Sequence, residues 1–273
     1  MARAQKSSTG SFPGGAERPD IKVQSTAGMR AVSHRYGSQL ALDDVTVSLS
    51  EGVTALVGVN GAGKSTLLRI LSGALRPTSG QVRLGDADPY LRGERHRALR
   101  RVALMPQLAE FPPHLSVQEV VSCVAWLKGA DASTAADLAA AAVHAVGLGE
   151  RATSHLRTLS GGMVRRVALA QAIASRPDVL LLDEPSTGLD PAQRRAMIDL
   201  IGGLRGTVLF SSHVIEDVES LAHRVVVLNA GRVVFDGPIH ALRARGAEDG
   251  RSPASHSALE RAFLALISAP PVS

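Results

Sequence analysis

The chain has 273 residues, of which 45% are hydrophobic and 20% are charged. This apolar share can build one large domain or two small ones, and it excludes disorder of the whole chain. The formal net charge of +5 suits a nucleotide, a nucleic acid or a lipid surface and selects none of them. No apolar stretch approaches the roughly 18 residues that a membrane-spanning helix needs. With a single cysteine and no signal-peptide pattern at its start, the chain is expected in the cytosol.

The first 20 residues are rich in Ser, Gly and Pro, and we expect them to form a flexible tail. From residue 53 onwards, short apolar runs alternate with longer helical patterns. The sequence predicts strands at residues 53–57, 102–104, 179–182, 207–210 and 224–228. It predicts helices between them at residues 64–75, 162–175, 191–204 and 215–222. Such alternation is typical of an α/β fold in which helices cover a buried parallel sheet.

Residues 106–157 depart from this alternation. They contain no predicted strand, are rich in Ala, Leu and Val, and predict helices at 117–128 and 132–146. This pattern indicates a small helical insertion in the α/β core. A further amphipathic helix is predicted at residues 257–266, behind a polar hinge at 246–256.

The sequence GVNGAGKST, at residues 58–66, follows a predicted strand and begins a predicted helix, which is the context of a phosphate-binding loop. Glycines let the backbone N–H groups approach phosphates, and the helix adds its positive N-terminal end. Lys64 would contact the β- and γ-phosphates, while the Ser65 hydroxyl would bind Mg²⁺. The alternative is a glycine-rich turn with a chance Lys-Ser pair, which the complete pattern disfavours. The predicted nucleotide ligands in this phosphate loop are Gly58, Asn60, Gly61, Ala62, Gly63, Lys64, Ser65 and Thr66.

Two carboxylates end the apolar strand in VLLLDEP, at residues 179–185. Asp183 would face the phosphate loop and hold Mg²⁺ through water, and Glu184 would polarise a water for attack on a γ-phosphate. The alternative is an ordinary solvated turn, which is less plausible beside a phosphate loop.

The segment TLSGG, at residues 158–162, precedes a predicted helix. Ser160 is a favourable N-cap, so an ordinary capped helix is one interpretation. That interpretation leaves the glycine pair unexplained, because Gly161 and Gly162 weaken the start of the helix. Exposed N–H groups at this position favour close approach of an anion.

Together, the phosphate loop, the LSGG segment and LLLDEP resemble the nucleotide-binding subunit of an ATP-binding cassette (ABC) transporter. The resemblance covers roughly residues 30–240 and includes the order and spacing of the motifs. It implies a head-to-tail dimer in which each ATP lies between the phosphate loop of one subunit and the LSGG segment of the other. That arrangement would give Ser160, Gly161 and Gly162 a role in ATP binding.

Four further positions match the family. Tyr36 matches the aromatic residue that stacks on adenine, although a tyrosine at a strand edge is the alternative. Gln107 matches a glutamine that contacts Mg²⁺ and relays to the membrane partner. Asp190 matches an aspartate that contacts the opposite subunit, and it can also cap the helix before Pro191. His213 matches the histidine that contacts the γ-phosphate.

The sequence departs from the family pattern at two positions. Met163 stands where the LSGG segment usually continues with Gln, and Val59 stands where the commonest exporter form has Pro. We expect the first change to affect coupling or rate rather than binding, and the second to have little effect.

The resemblance implies a P-loop NTPase core with a parallel sheet at residues 21–104 and 158–240. It adds an all-helical subdomain at 105–157, a small N-terminal β subdomain and a C-terminal helical extension at 241–273. The implied activity is ATP hydrolysis with Mg²⁺, on the cytoplasmic face of the membrane. The implied partners are a second copy or a homologous ATPase subunit, together with separate membrane permease subunits.

Export is the favoured direction, because residues 258–268 (ALERAFLALIS) resemble the closing segment of ATPases from drug, antibiotic and lipid exporters. That segment can also be a packing helix with no bearing on direction. The alternative function is a soluble cassette ATPase that acts on nucleic acid or ribosomes. The 119 positions from Lys64 to Asp183 leave no room for the long coiled coil of the cassette ATPases of DNA repair, so no direct nucleic-acid partner is expected.

Overall fold

The computed structural model describes residues 27–248 and 257–268. The predicted tail at residues 1–20 and most of the predicted hinge at 246–256 lie outside the described residues. The predicted subdomain boundaries stay predictions.

A six-stranded sheet forms the centre of the fold, in the order β5-β6-β7-β3-β8-β9. All of its pairs are parallel except the pair of β8 and β9, which is antiparallel. Its strands are β3 (Gly52–Val57), β5 (Val102–Met105), β6 (Val179–Leu182), β7 (Thr207–Ser212), β8 (Arg224–Asn229) and β9 (Arg232–Pro238). The predicted α/β class with a parallel sheet is therefore confirmed, while β9 is an addition.

A second, three-stranded antiparallel sheet packs beside this centre. It consists of β1 (Ala27–Tyr36), β2 (Gln39–Leu49) and β4 (Ser79–Leu84), in the order β2-β1-β4. The sequence did not predict these strands individually. The pairing of β1 with β2 has three register shifts, and Ala31 and Asp44 have positive φ. These irregularities interrupt the period-two pattern by which strands are predicted.

Nine α-helices connect and extend the strands in the described part of the chain. They are α1 (Lys64–Leu71), α2 (Arg95–Arg101), α3 (Val117–Leu127), α4 (Ala132–Ala145), α5 (Gly161–Ala174), α6 (Pro191–Gly202), α7 (Ile215–Leu221), α8 (Ile239–Glu248) and α9 (Ala258–Ser268). The prediction of α1 up to residue 75 was wrong, because Gly73 has φ 75° and a left-handed residue at this position ends a helix. None of these helices has the length and apolar character that a bilayer crossing requires.

Alternate residues of the parallel sheet point into two separate cores. In β6, Leu180 and Leu182 pack into a core with helices α3 to α9. Val179 and Leu181, which alternate with them, pack into a second core with α1 and the antiparallel sheet. Burial on both faces explains why this strand is a continuous apolar run.

Shortening a core leucine of α5 tests this packing. Leu169 is 0% exposed, so we expect Leu169→Ala to lower the free energy of unfolding by about 2–5 kcal/mol, since it leaves a cavity. The matched variant Leu127→Ala, at a position that is 67% exposed, should change that free energy by less than about 0.5 kcal/mol. Denaturant unfolding of both variants measures the difference. Equal effects would contradict the packing described.

Candidate active site

The candidate site lies at the carboxyl ends of four neighbouring parallel strands. Residues 58–63 follow β3, residues 106–107 follow β5, residues 183–187 follow β6, and His213 follows β7. Ligands of open parallel sheets bind at this edge, where loops from several strands meet. We call residues 106–107 the glutamine loop and residues 183–187 the acidic turn.

The phosphate loop requires glycine at two positions for different reasons. Gly63 precedes α1 with φ 104°, a conformation that residues with a Cβ rarely adopt. A Cβ on Gly58 would lie 2.4 Å from the Leu228 carbonyl oxygen, so the loop packs directly against β8. These constraints restrict the backbone conformation of the loop at the start of a helix, and that position suits an anion.

Lys64 is folded back onto the loop that carries it. Its Nζ donates to the carbonyl oxygens of Gly58 at 2.7 Å and Val59 at 3.1 Å. Burial lowers the pKa of Lys64, and the negative charges of Glu184 and Asp183 oppose this shift. The ammonium is therefore held at the phosphate loop, and Lys64 lines the cleft beside it.

The acidic turn is held in an unusual backbone conformation. Glu184 has φ 48°, in the left-handed region that non-glycine residues adopt at a cost. Its N–H donates to Ser211 Oγ at 2.8 Å, and the Ser211 hydroxyl donates to Asp183 Oδ1 at 2.7 Å. The N–H of Asp183 donates to the Met105 carbonyl at 2.9 Å. Strands β5 and β7 thus hold the main chain of the acidic turn from opposite sides, and Ser211 also binds the Asp183 carboxylate.

The Glu184 carboxylate joins three loops. Gln107 Nε2 and Thr187 Oγ1 each donate to its Oε2 at 3.0 Å. His213 Nδ1 lies 3.3 Å from its Oε1. These contacts hold the carboxylate in place and leave it able to accept a proton, because its two oxygens offer about four lone-pair sites.

A cleft of about 740 Å³ collects most of the predicted residues. Tyr36 lies at its rim, 45% exposed, with its ring edge-to-face against His34 at 4.7 Å between centroids. Gly58, Ala62 and Asp183 are buried and do not line the cleft. The predicted residues that line it are Tyr36, Asn60, Gly61, Gly63, Lys64, Ser65, Thr66, Gln107, Glu184 and His213.

The LSGG residues lie elsewhere. Ser160 and Gly162 line a second cleft of about 600 Å³ together with Met163, and Gly161 is exposed. Ser160 caps α5 by accepting a hydrogen bond from Met163 N at 3.3 Å, so the predicted capped helix is confirmed. Within one chain, the structure does not bring these residues into the cleft of the phosphate loop.

Asp190 is also outside the first cleft. Its Oδ1 accepts a hydrogen bond from Gln193 N at 2.9 Å and caps α6 before Pro191. The Gln193 side chain lies directly against Gly162, where an added Cβ would clash with it. The start of α6 therefore packs on the start of α5.

The family model for ABC transporters matches residues 42–187. The Nod factor export ATP-binding protein I of Burkholderia orbicola is 38% identical over 217 residues, covering 78% of this chain and 71% of the relative. The chain belongs to the ABC transporter family. As an ATP-binding cassette of that family it is an ATPase, and the predicted family and activity are confirmed.

Other relatives of this cassette differ in their direction of transport. The cobalt import ATP-binding protein CbiO of Rhodobacter capsulatus is 41% identical over 231 residues, covering 80% of this chain and 81% of the relative.

An ATP-binding subunit of an ABC transporter shares the fold with a TM-score of 0.75 at 24% identity, over 88% of this chain and 99% of that one. The dimeric bacterial cassette MJ0796 has a TM-score of 0.68 at 25% identity, over 78% and 98%.

The cassette contains three site residues that sequence reasoning missed. Thr187 is part of the acidic turn and donates to the Glu184 carboxylate, and Ser211 of β7 binds the turn from outside. Arg165 of α5 is buried against main-chain carbonyls of the same turn. SSH, at residues 211–213, was the available signal for Ser211, because it places a hydroxyl at the strand end beside His213. No local pattern identifies Arg165.

Ser211→Ala removes the hydroxyl that links Asp183 to the Glu184 backbone. We expect it to lower the free energy of unfolding by about 1–3 kcal/mol, since the buried Glu184 N–H loses its acceptor. ATP turnover per folded molecule should fall as well. Ser220→Ala is the matched control, because its hydroxyl bonds to Glu216 O at an exposed position of α7. Equal unfolding energies and turnover for the two variants would show that Ser211 does not hold the turn.

Proposed function

We propose that the chain is the ATP-hydrolysing subunit of an exporter, working as a head-to-tail dimer on separate membrane subunits. The supporting observation is the separation of two half-sites. Lys64, Gln107, Glu184 and His213 share one cleft, whereas Ser160 lines another. A second cassette placed head to tail would bring its LSGG segment to the phosphate loop of the first, and the proposal assigns one ATP to each such junction.

In the proposed reaction, water attacks the γ-phosphorus and the bond to the bridging oxygen breaks, which yields ADP and inorganic phosphate. Glu184 accepts the proton of that water. Lys64 and His213 stabilise negative charge on the γ-phosphate, and Tyr36 stacks on adenine. The contacts from Gln107, Thr187 and His213 support this role, because they hold the Glu184 carboxylate in place.

The residues that would hold Mg²⁺ have suitable chemistry. Ser65, Gln107 and Asp183 offer hydroxyl, amide and carboxylate oxygens, the donors that Mg²⁺ prefers. In the described part of the chain, no group of three or more His, Cys, Asp or Glu side chains forms a metal site. This finding fits an ion held mainly by nucleotide phosphates and completed by a few protein ligands. The ion would neutralise phosphate charge during hydrolysis.

The LSGG segment and Asp190 complete the proposed dimer site. Gly161 is exposed at the start of α5, so its N–H group is available to an anion on an opposing subunit. Asp190 is exposed beside it at the start of α6. We assign Ser160, Gly161 and Gly162 to the γ-phosphate of the partner's ATP, and Asp190 to the contact between subunits.

Membrane partners are proposed to dock near residues 107–128. Leu108, Trp126 and Leu127 are large exposed apolar residues in this region, as expected for a surface that another protein covers. The chain would thus work at the cytoplasmic face of the membrane. The Nod factor export relatives and the exporter-like segment at 258–268 support export. The cobalt import relative is the reason to test the direction of transport.

Glu184→Gln should keep ATP binding while it removes the proton acceptor. We expect turnover to fall at least about 100-fold and a nucleotide-bound dimer to accumulate, measured by sedimentation with Mg²⁺ and ATP. The comparison variant Lys64→Ala should fail to bind ATP, so it should give no dimer. Hydrolysis by Glu184→Gln at the unsubstituted rate would refute the general-base assignment.

The direction of transport can be tested with the membrane protein that recruits this chain. Purified permease and chain in vesicles should show permease-stimulated ATP turnover without any soluble substrate-binding protein. A requirement for such a protein would contradict export. Recruitment to ribosomes or DNA, with none to the permease, would contradict the transporter role.

A further inference from the structure

Arg165 is a buried cation at the point where three parts of the cassette meet. It lies on α5, one turn after the LSGG segment, and is 8% exposed. Its guanidinium donates to main-chain carbonyls in two loops that follow neighbouring strands of the parallel sheet. The acceptors are Pro106, Gln107, Asp183, Glu184 and Pro185.

Three of these contacts have ordinary hydrogen-bond lengths. Arg165 Nε lies 3.0 Å from Pro185 O, Nη1 lies 3.3 Å from Pro106 O, and Nη2 lies 3.2 Å from Asp183 O. Removing the guanidinium would therefore leave buried polar groups without a donor, which is costly. Only arginine has a planar fork of five N–H groups that can bind two loops at once, whereas lysine offers a single ammonium.

The loops that Arg165 joins carry two of the groups proposed for hydrolysis. Gln107 Nε2 and Glu184 Oε2 are 3.0 Å apart, and the guanidinium binds the main chain of both residues. Glu184 also has the left-handed backbone described above, with φ 48°. Such a conformation persists only where surrounding contacts over-determine it. Ser211 restrains its N–H side, and Arg165 restrains its carbonyl side.

We propose that Arg165 is a positioning residue for ATP hydrolysis. It sets the distance between the glutamine loop and the acidic turn, and it links both to the helix that begins at the LSGG segment. A movement of that helix therefore reaches Glu184 through the main chain. Arg165 acts through Glu184 and Gln107 and has no contact with the reacting atoms in this assignment. The inference rests on the general-base role proposed for Glu184.

The test measures steady-state ATP hydrolysis by the full chain with Arg165→Gln and Arg165→Lys. Arg165→Gln should lower kcat about 10- to 100-fold, because small displacements of a catalytic group have effects of that size. The KM for ATP should change less than about threefold, since Arg165 is proposed to position the catalytic groups and not to bind ATP. Arg165→Lys should recover part of the loss. Arg205→Gln is the matched control, because Arg205 is exposed before the amino end of β7, away from the site.

A second measurement separates positioning from stability. Each variant is compared at a temperature where its unfolding curve shows the folded state, and kcat is expressed per folded chain. Arg165→Gln is then combined with Gln107→Ala. The two losses in kcat should be less than multiplicative, because both act on the position of Glu184. Multiplicative losses, or a folded Arg165→Gln with unchanged kcat, would overturn the inference.

The outcomes also separate this inference from the proposed function. If Glu184→Gln hydrolyses ATP at the unsubstituted rate, the general-base role fails and this inference fails with it. If Glu184→Gln is inactive while Arg165→Gln retains full kcat, only the positioning role of Arg165 is wrong. Should Arg165→Gln not fold, Arg165→Lys carries the test, and full kcat in that variant would overturn the inference.

Discussion

The backbone of the acidic turn is the constraint on which the rest of the site depends. Glu184 has a left-handed φ of 48°, and this conformation directs its carboxylate toward Gln107, Thr187 and His213. Neighbouring strands and α5 supply the contacts that hold the turn. The local sequence does not favour this backbone, so the tertiary structure must impose it. The arrangement places the Glu184 carboxylate in the same cleft as the phosphate loop.

The parallel sheet is what allows the tertiary structure to hold Glu184 in this backbone conformation. Both of its faces are buried, in two cores, so its strands cannot slide without exposing apolar side chains. Loops at the carboxyl edge therefore start from fixed positions. This holds for the phosphate loop, the glutamine loop and the acidic turn. The LSGG segment, in contrast, lies at the start of α5 and lines a separate cleft.

The sequence predicted the parts of the structure whose signals are local. Strands such as β6 are continuous apolar runs because both faces are buried, and the phosphate loop has glycines where a Cβ cannot fit. The antiparallel strands β1 and β2 were not predicted, because bulges and positive φ values break their alternation. Arg165 was missed because its acceptors lie 18 to 59 positions away in the chain, and they are carbonyls that any residue type provides.

The proposed ATP site is composite, with a phosphate loop from one chain and an LSGG segment from another. This site is tested by the ATP turnover of a mixture of Lys64→Ala chains and Ser160→Phe chains, each expected to be inactive alone. A head-to-tail dimer of the two variants contains one intact junction, so mixing should restore turnover. A mixture no more active than its separate components would contradict the composite site.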